Sequence, residues 1–478
     1  MRYIRIVLLL SMLVAMLRAY PAGPYEQLME DDDMSRASIG VHIVDVDSRE
    51  VVFSRNTHKA LIPASLVKLF TATATMKCYD DTTRWYTQVG YSGVLSDTIL
   101  CGDIVIVGSI DPTLDADAED NAVGGFVKNV VNAISQAGIK HITGNIVVDA
   151  SICAIEGWGE WMCEDIGFYY GAACFGANYR GNEYRLYLQT DSVGSHPSII
   201  GTSIDMPSLQ YHNHLIAGAK DMSQVYTIPY ATDCMLMGSI PANRERFALR
   251  CAIPDAPLFM AYGLCRALQS AGIVVDGEAV TDRMLKESGK TTPAIDTTLY
   301  THASATLSAM LTTMMHKSNN LYAESLLRYV ALSEDSIATL SRALSVERNI
   351  LGTMGLDTTA VKLTDGCGLS RKNIVTPHFV ASLLVAAYHD ADMGQRWVSI
   401  LPQAGKDGTV RSFFARQPLP GTLRVKSGSM GGVLCYAGYY EYNGKTYAVV
   451  LMGNNHTCKS SVLRNRYEQL LRGIFTSL

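Results

Sequence analysis

Apolar and polar positions change regime several times along the chain. Ser38-Ile39-Gly40-Val41-His42-Ile43-Val44-Asp45-Val46 reads as a strand, Asp47-Ser48-Arg49-Glu50 as a turn, and Val51-Val52-Phe53-Ser54 as the returning arm of a hairpin. Beyond it, Leu66, Leu69, Phe70 and Thr73 recur at helical spacing, with Pro63 where a first helical turn tolerates proline. The other end of the chain mirrors this pattern. Residues 422–429 and 433–440 read as strands around Gly431-Gly432, a turn at Asn443-Gly444 leads into a strand over 445–452, and a helix begins near Ser460. Two strands from the start and three from the end predict one antiparallel sheet with helices packed on both faces. The residues between them carry further strand signals at 88–94, 103–108, 144–149 and 184–188. The expectation is an α+β fold in which a domain formed by residues 23–85 and 296–478 is split by an insertion at 86–295, mainly β and built of two nested parts. Short loops join most neighbouring elements, so so long a separation between two halves of one sheet argues for inserted domains.

Composition narrows the function classes. Of 478 residues, 48% are hydrophobic and 18% charged, as in an ordinary globular protein, and the formal charge of −5 with no basic cluster speaks against a nucleic-acid partner. Arg2 and Arg5 precede an apolar run from Ile6 to Leu17, followed by Arg18-Ala19-Tyr20-Pro21-Ala22. Charge, length and small residues predict a signal peptide over 1–22, too short to span a bilayer comfortably. The mature chain is then expected to be exported to the periplasm or cell envelope, with no integral membrane span. Eleven cysteines are an odd number, and most sit in apolar surroundings that suit small buried thiols; Cys153 with Cys163 and Cys78 with Cys101 are candidate bridges. No metal site is predicted, because His212 and His214 find no third ligand, and no cofactor is called for.

Three short motifs carry the chemistry. Ser65-Leu66-Val67-Lys68 puts a hydroxyl and an amine on one face of a helix. A serine hydroxyl needs a neighbouring base to become a nucleophile, and a lysine serves only if its pKa falls from about 10.4 towards neutrality. Such a pair also arises by chance about once or twice in a chain of this length, as a capped helix with a surface lysine. Ser318-Asn319-Asn320 in a helical context and Lys426-Ser427-Gly428 at the close of a strand-like run change the balance. In this order the three match the Ser-x-x-Lys, Ser-x-Asn and Lys-Thr-Gly set of penicillin-recognising serine acyl-transfer enzymes, with Ser427 in place of the usual Thr and its hydroxyl retained.

Around these motifs the chain resembles the D-alanyl-D-alanine carboxypeptidase/endopeptidase family of low-molecular-mass, class C penicillin-binding proteins with large inserted domains. Gly108-Ser109-Ile110-Asp111-Pro112-Thr113-Leu114, Trp161 through Ala172, Gly405-Lys406-Asp407-Gly408-Thr409, and Asp365-Gly366-Cys367-Gly368-Leu369-Ser370-Arg371 are similar to family segments, with Cys367 where the family has Ser. The resemblance implies a penicillin-recognising, transpeptidase-like domain and hydrolysis of peptidoglycan stem peptides ending in D-Ala-D-Ala, with β-lactams as covalent inhibitors. It implies Ser65 as nucleophile, Lys68 as general base, Ser318 as proton relay helped by Lys426, and Asn320 as a partner of Lys68 and of the substrate backbone. Ser427 would bind the terminal carboxylate, Gly428 would let substrate approach the strand edge, and Ser429 would add its N–H to that of Ser65 in an oxyanion hole. A pocket for a diaminopimelate side chain would use Asp165, Tyr170, Arg371 and Met430, although a helix cap, a core tyrosine and a turn residue explain Asp165, Tyr170 and Met430 equally well.

Two other functions fit parts of the pattern. A serine β-lactamase shares the acylation but needs a group that activates the deacylating water, and no segment matches one. A non-catalytic cell-wall binder would not need Ser65, Lys68, Ser318, Asn320 and Lys426 all intact. A His-dependent hydrolase lacks Gly-x-Ser-x-Gly around Ser65.

Overall fold

The strands expected at the two ends of the chain pair with each other. In the computed structural model, which describes residues 23–30, 32–118, 124–154 and 160–476, a five-stranded antiparallel sheet runs in the order Thr422–Met430, Val433–Tyr442, Lys445–Asn454, Ser38–Asp45, Val51–Arg55. The run expected to be a signal peptide lies outside the described residues. Ser38 faces Asn454 and Asp45 faces Tyr447, so the N-terminal strand closes on the last one along its whole length. Asn443 and Gly444 both take positive φ, 50° and 74°, the left-handed pair that matches the twist of a two-residue hairpin. Ile39, Val41 and Ile43 pack with Leu434, Tyr436 and Leu451 and with Leu463, Tyr467 and Leu471 of the helix Ser460–Thr476.

The chain divides into two compact units. The first contains this sheet and takes the chain up to Pro63 together with Thr376–Val385 and Pro402–Leu478. The second takes Ala64–Val375 and Ala386–Leu401. Its largest sheet is a long hairpin, Tyr86–Ser96 with Ile99–Val107, flanked by Thr297–Ala303 on one side and by short parallel strands, among them His141–Ile142 and Ile146–Asp149, on the other. Phe126, Val130 and Ile134 of the helix Gly125–Gln136, and Phe259, Leu264 and Leu268 of the helix Ala256–Ser270, fill its core. Three smaller sheets occupy residues 183–252, as the strand-rich reading of the insertion anticipates.

The second unit also holds the helices Val67–Cys78, Leu307–Lys317, Asn320–Leu332 and Leu340–Thr353. The first is buried on every side from Val67 to Met76, so its polar residues need internal partners. Thr73 and Thr75 donate to the carbonyls of Leu69 and Thr71, one turn back. Thr71 instead reaches across to the carbonyl of Gly366 at 2.8 Å.

All eleven cysteines are free thiols, so neither candidate bridge forms. Cys163 is exposed with its thiol on Glu164, whereas Cys153 is buried and shares a hydrogen bond with Cys174. Cys101 is exposed on its strand and Cys78 half-buried at a helix end. Spacing along the chain carried no information about which thiols meet.

Candidate active site

Ser65 sits in a short 3-10 turn, Ala64–Leu66, that runs straight into the helix Val67–Cys78. Ala64 holds φ at 48°, a left-handed conformation that costs a non-glycine residue about 1–2 kcal/mol and marks a tightly specified turn. One helical turn on, the Lys68 Nζ lies 3.1 Å from the Ser65 Oγ, 2.7 Å from the Asn320 Oδ1 and 2.6 Å from the carbonyl oxygen of Cys367. Lys68 and Asn320 are 252 residues apart in sequence, so the fold and not local spacing unites them. Lys68 is fully buried, and loss of solvation pulls its pKa down; the neighbouring Cys367, Asp365 and Glu324 oppose that shift.

The three contacts differ in kind. A backbone carbonyl can only accept a hydrogen bond. The Asn320 amide is oriented by its other end, where Nδ2 donates to the carbonyl of Tyr170 at 2.7 Å, so Oδ1 also faces Lys68 as an acceptor. A neutral amine has two N–H donors and one lone pair. Two of its contacts, the Cys367 carbonyl and Asn320 Oδ1, are obligate acceptors, whereas the Ser65 hydroxyl can also give a proton. In the neutral form of Lys68 those two acceptors take both N–H donors and leave the lone pair for the Ser65 hydroxyl, 3.1 Å away.

Ser318 ends the helix Leu307–Lys317 in the left-handed conformation, φ 53° and ψ 36°, a position usually taken by glycine or asparagine. Asn319 then caps the next helix by accepting from the Tyr322 N–H at 3.1 Å. This break turns Asn320 towards Lys68. One turn further on, Glu324 is buried and paired with Arg328 at 2.6 Å.

Asp365 lies under the turn that carries the Cys367 carbonyl. Its carboxylate accepts from Gly368 N (2.8 Å), Asn373 Nδ2 (2.9 Å), Ser370 N (2.7 Å) and Trp161 Nε1 (2.8 Å). Burial, and then the charge of Glu324, raise its pKa to about 6 against the donors of Ser370, Gly368 and Trp161. Glu324, Asp365 and Cys367 bring three ligand-type atoms within 4.8 Å of one another. The carboxylates are already engaged by Arg328, the Gly366 N–H and the four donors on Asp365, so the cluster is built as a clamp.

Of the residues expected to bind a substrate side chain, Asp165 accepts from the Tyr170 hydroxyl at 3.2 Å. Burial raises the Asp165 pKa, partly offset by the Tyr170 hydrogen bond and the charge of Arg371. Asp165, Tyr170 and Arg371 thus gather near the backbone that holds Asn320. Lys426, Ser427, Gly428, Ser429 and Met430 share the strand Thr422–Met430 of the first unit, the outermost strand of its sheet. Lys426 is buried with Nζ 2.6 Å from the carbonyl of Ser427, the Ser427 hydroxyl meets that of Thr409 at 2.7 Å, and Ser429 is exposed. Sequence reasoning did not foresee the Cys367 carbonyl or the roles of Asp365 and Thr71. A backbone acceptor leaves no trace in residue type, although the four-residue spacing from Asn320 to Glu324 to Arg328 signals one helix face.

The profile of the D-Ala-D-Ala carboxypeptidase 3 (S13) family matches residues 24–473. A D-alanyl-D-alanine carboxypeptidase of an Actinomadura species is 26% identical over 447 residues, 90% of this chain and 80% of the relative. The crystal structure of penicillin binding protein 4 from Haemophilus influenzae superposes with a TM-score of 0.80 at 21% identity, covering 94% of this chain and 98% of that one. A predatory peptidoglycan endopeptidase of Bdellovibrio bacteriovorus shares the fold more distantly, with a TM-score of 0.51 at 14% identity over 91% of this chain and 93% of the other.

Proposed function

The chain belongs to the D-Ala-D-Ala carboxypeptidase 3 (S13) family, and on that premise we propose how its own residues carry out the reaction. Neutral Lys68 takes the proton of Ser65 as Oγ attacks the carbonyl of the penultimate D-alanine of a peptidoglycan stem peptide. The N–H groups of Ser65 and Ser429 receive the oxyanion; one such donor is typically worth about 3 kcal/mol of transition-state stabilisation. Ser318, helped by the charge of Lys426, passes a proton to the departing amine, terminal D-alanine leaves, and water hydrolyses the acyl-enzyme. Ser427 and Lys426 hold the terminal carboxylate, while Gly428 on an outermost strand leaves room for the peptide to add as a further strand. Asn320 fixes both Lys68 and the substrate backbone. Asp165, Tyr170, Arg371 and Met430 form the pocket for the side chain of the third stem residue.

The observation that carries this reading is the Lys68 amine, buried and aimed at Ser65 by two obligate acceptors. Residues 23–85 and 296–478 then act as one catalytic domain interrupted by 86–295, in an exported enzyme of the cell envelope. β-Lactams acylate the same serine, consistent with the β-lactam complex of the Haemophilus influenzae protein. Cross-link cleavage between stem peptides passes through the same acyl-enzyme and differs only in the leaving amine, so the site serves endopeptidase chemistry as well.

Release of D-alanine from a synthetic peptide ending in D-Ala-D-Ala tests the assignment. Lys68→Met is expected to lower the rate at least 100-fold, the scale of a lost general base, with the folded state retained. A Lys68→Met enzyme that releases D-alanine at the wild-type rate would overturn it.

A further inference from the structure

The turn after Asp365 touches both members of the candidate nucleophile–base pair. Its Cys367 carbonyl accepts from the Lys68 amine at 2.6 Å. Its Gly368, at φ +84°, lies so close to the serine that an added Cβ would stand 2.0 Å from the Ala64 carbonyl oxygen and 3.0 Å from the Ser65 nitrogen. Tethers hold this turn from several sides. The Asp365 carboxylate reaches over it to the N–H groups of Gly368 and Ser370, Glu324 accepts from the Gly366 N–H at 2.8 Å, and Thr71 donates to the Gly366 carbonyl at 2.8 Å. Trp161 and Asn373 lock the carboxylate in turn.

We propose that Asp365 is a positioning residue for acyl transfer: by fixing this turn it keeps the Cys367 carbonyl on the Lys68 amine, and so keeps the amine's lone pair directed at Ser65. The proposal rests on the reading of Lys68 as the base. Its logic is geometric. With the Cys367 carbonyl in place, a neutral Lys68 has one orientation that satisfies all three neighbours; with the carbonyl swung away, an N–H can point at Ser65 and the lone pair elsewhere. The carboxylate also acts through its charge. Ser65 and Asn320 contact the Lys68 amine, and the titratable groups that act on it are Glu324 on the helix Asn320–Leu332 and Asp365 and Cys367 on the turn; Arg328 pairs with Glu324, and Glu347 on the helix Leu340–Thr353 feels Glu324 and Asp365. Asp365 favours the ammonium form of Lys68, so removing its charge lowers the pH at which the base becomes neutral.

The test is the second-order rate of acylation by a fluorescent penicillin, measured from pH 5 to 10 on the full chain. Asp365→Asn removes the charge and two of the acceptor positions. It is expected to slow acylation at its optimum at least tenfold and to move the acid limb of the pH profile at least half a unit lower. Thr71→Val cuts one tether of the turn and leaves every charge in place. It is expected to slow acylation severalfold with the acid limb unmoved, and it decides the matter if Asp365→Asn does not fold. Wild-type rates in Thr71→Val, or a folded Asp365→Asn whose acid limb stays in place, would overturn the proposal. A wild-type protein that forms no penicillin adduct at all would overturn the base assignment first, and the proposal with it.

Discussion

The residues that matter most are polar and buried, and each is affordable only because of its partners. Lys68 is the clearest case, a lysine without solvent with acceptors on two sides and the Ser65 hydroxyl on the third. Glu347 is the opposite case. It is fully buried, neither carboxyl oxygen meets a hydrogen-bond donor, and the nearby Thr71 hydroxyl gives its proton to Gly366. Burial, with the charges of Glu324 and Asp365, raises its pKa from 4.5 to about 8. Below pH 4.5 the group is protonated whether the chain is folded or not, and its charge adds no cost. Between 4.5 and 8 the unfolded chain ionises while the folded one keeps its proton, so stability falls as pH rises, and the full loss is in place above pH 8. Glu347→Gln is expected to abolish this loss, which is on the order of 4 kcal/mol. Urea unfolding of both proteins at pH 5 and pH 8 checks it: the stability advantage of the glutamine variant should grow with pH, and a constant difference would contradict the assignment. Nothing in the sequence distinguishes Glu347 from a surface glutamate on an amphipathic helix, because its burial is decided by three other segments.

Among the elements, the paired helices around Ser318 show how local sequence and tertiary packing divide the work. The motif Ser318-Asn319-Asn320 was legible, as was its helical setting, and so were the terminal strands, because period-2 alternation and an Asn-Gly turn are local signals. The break itself was not: a left-handed serine between two helices is specified by what the helices pack against. Ser318→Gly separates the two roles. Glycine accepts the left-handed backbone without a Cβ penalty, which offsets its greater loss of chain entropy, so stability is expected to stay within about 1 kcal/mol of wild type. Acylation by penicillin should nonetheless fall sharply, because the hydroxyl is gone. Thermal unfolding alongside acylation kinetics measures both, and a variant that keeps its acylation rate would remove Ser318 from the proton path. The edge strand Thr422–Met430 was foreseen with its motif, whereas the turn at Asp365–Ser370 was matched only as a family segment. Its contacts are a Cys367 carbonyl that accepts from Lys68 and an Asp365 carboxylate that accepts from four N–H groups, none of which depends on a residue pattern a reader can scan for.

At the scale of the molecule, both chain ends build one sheet and a long central stretch builds another, with the helices Val67–Cys78 and Asn320–Leu332 grouped with the latter in one compact unit. Among the described residues no helix is long and apolar enough to cross a membrane. The sequence separations inside the Lys68 cluster, 252 residues to Asn320 and 299 to Cys367, mean that the buried setting of this amine exists only in the folded chain. Unfolded, Lys68 is an ordinary solvated lysine, protonated at neutral pH. The whole account therefore turns on Ser65 being the residue that a folded Lys68 activates. Intact-mass spectrometry of the purified protein after incubation with a fluorescent penicillin tests that most directly, with Ser65→Ala beside it. The predicted result is one long-lived adduct of the antibiotic's full mass on the wild type and none on Ser65→Ala. Rapid destruction of the penicillin without a lasting adduct, or an adduct that persists on Ser65→Ala, would contradict it.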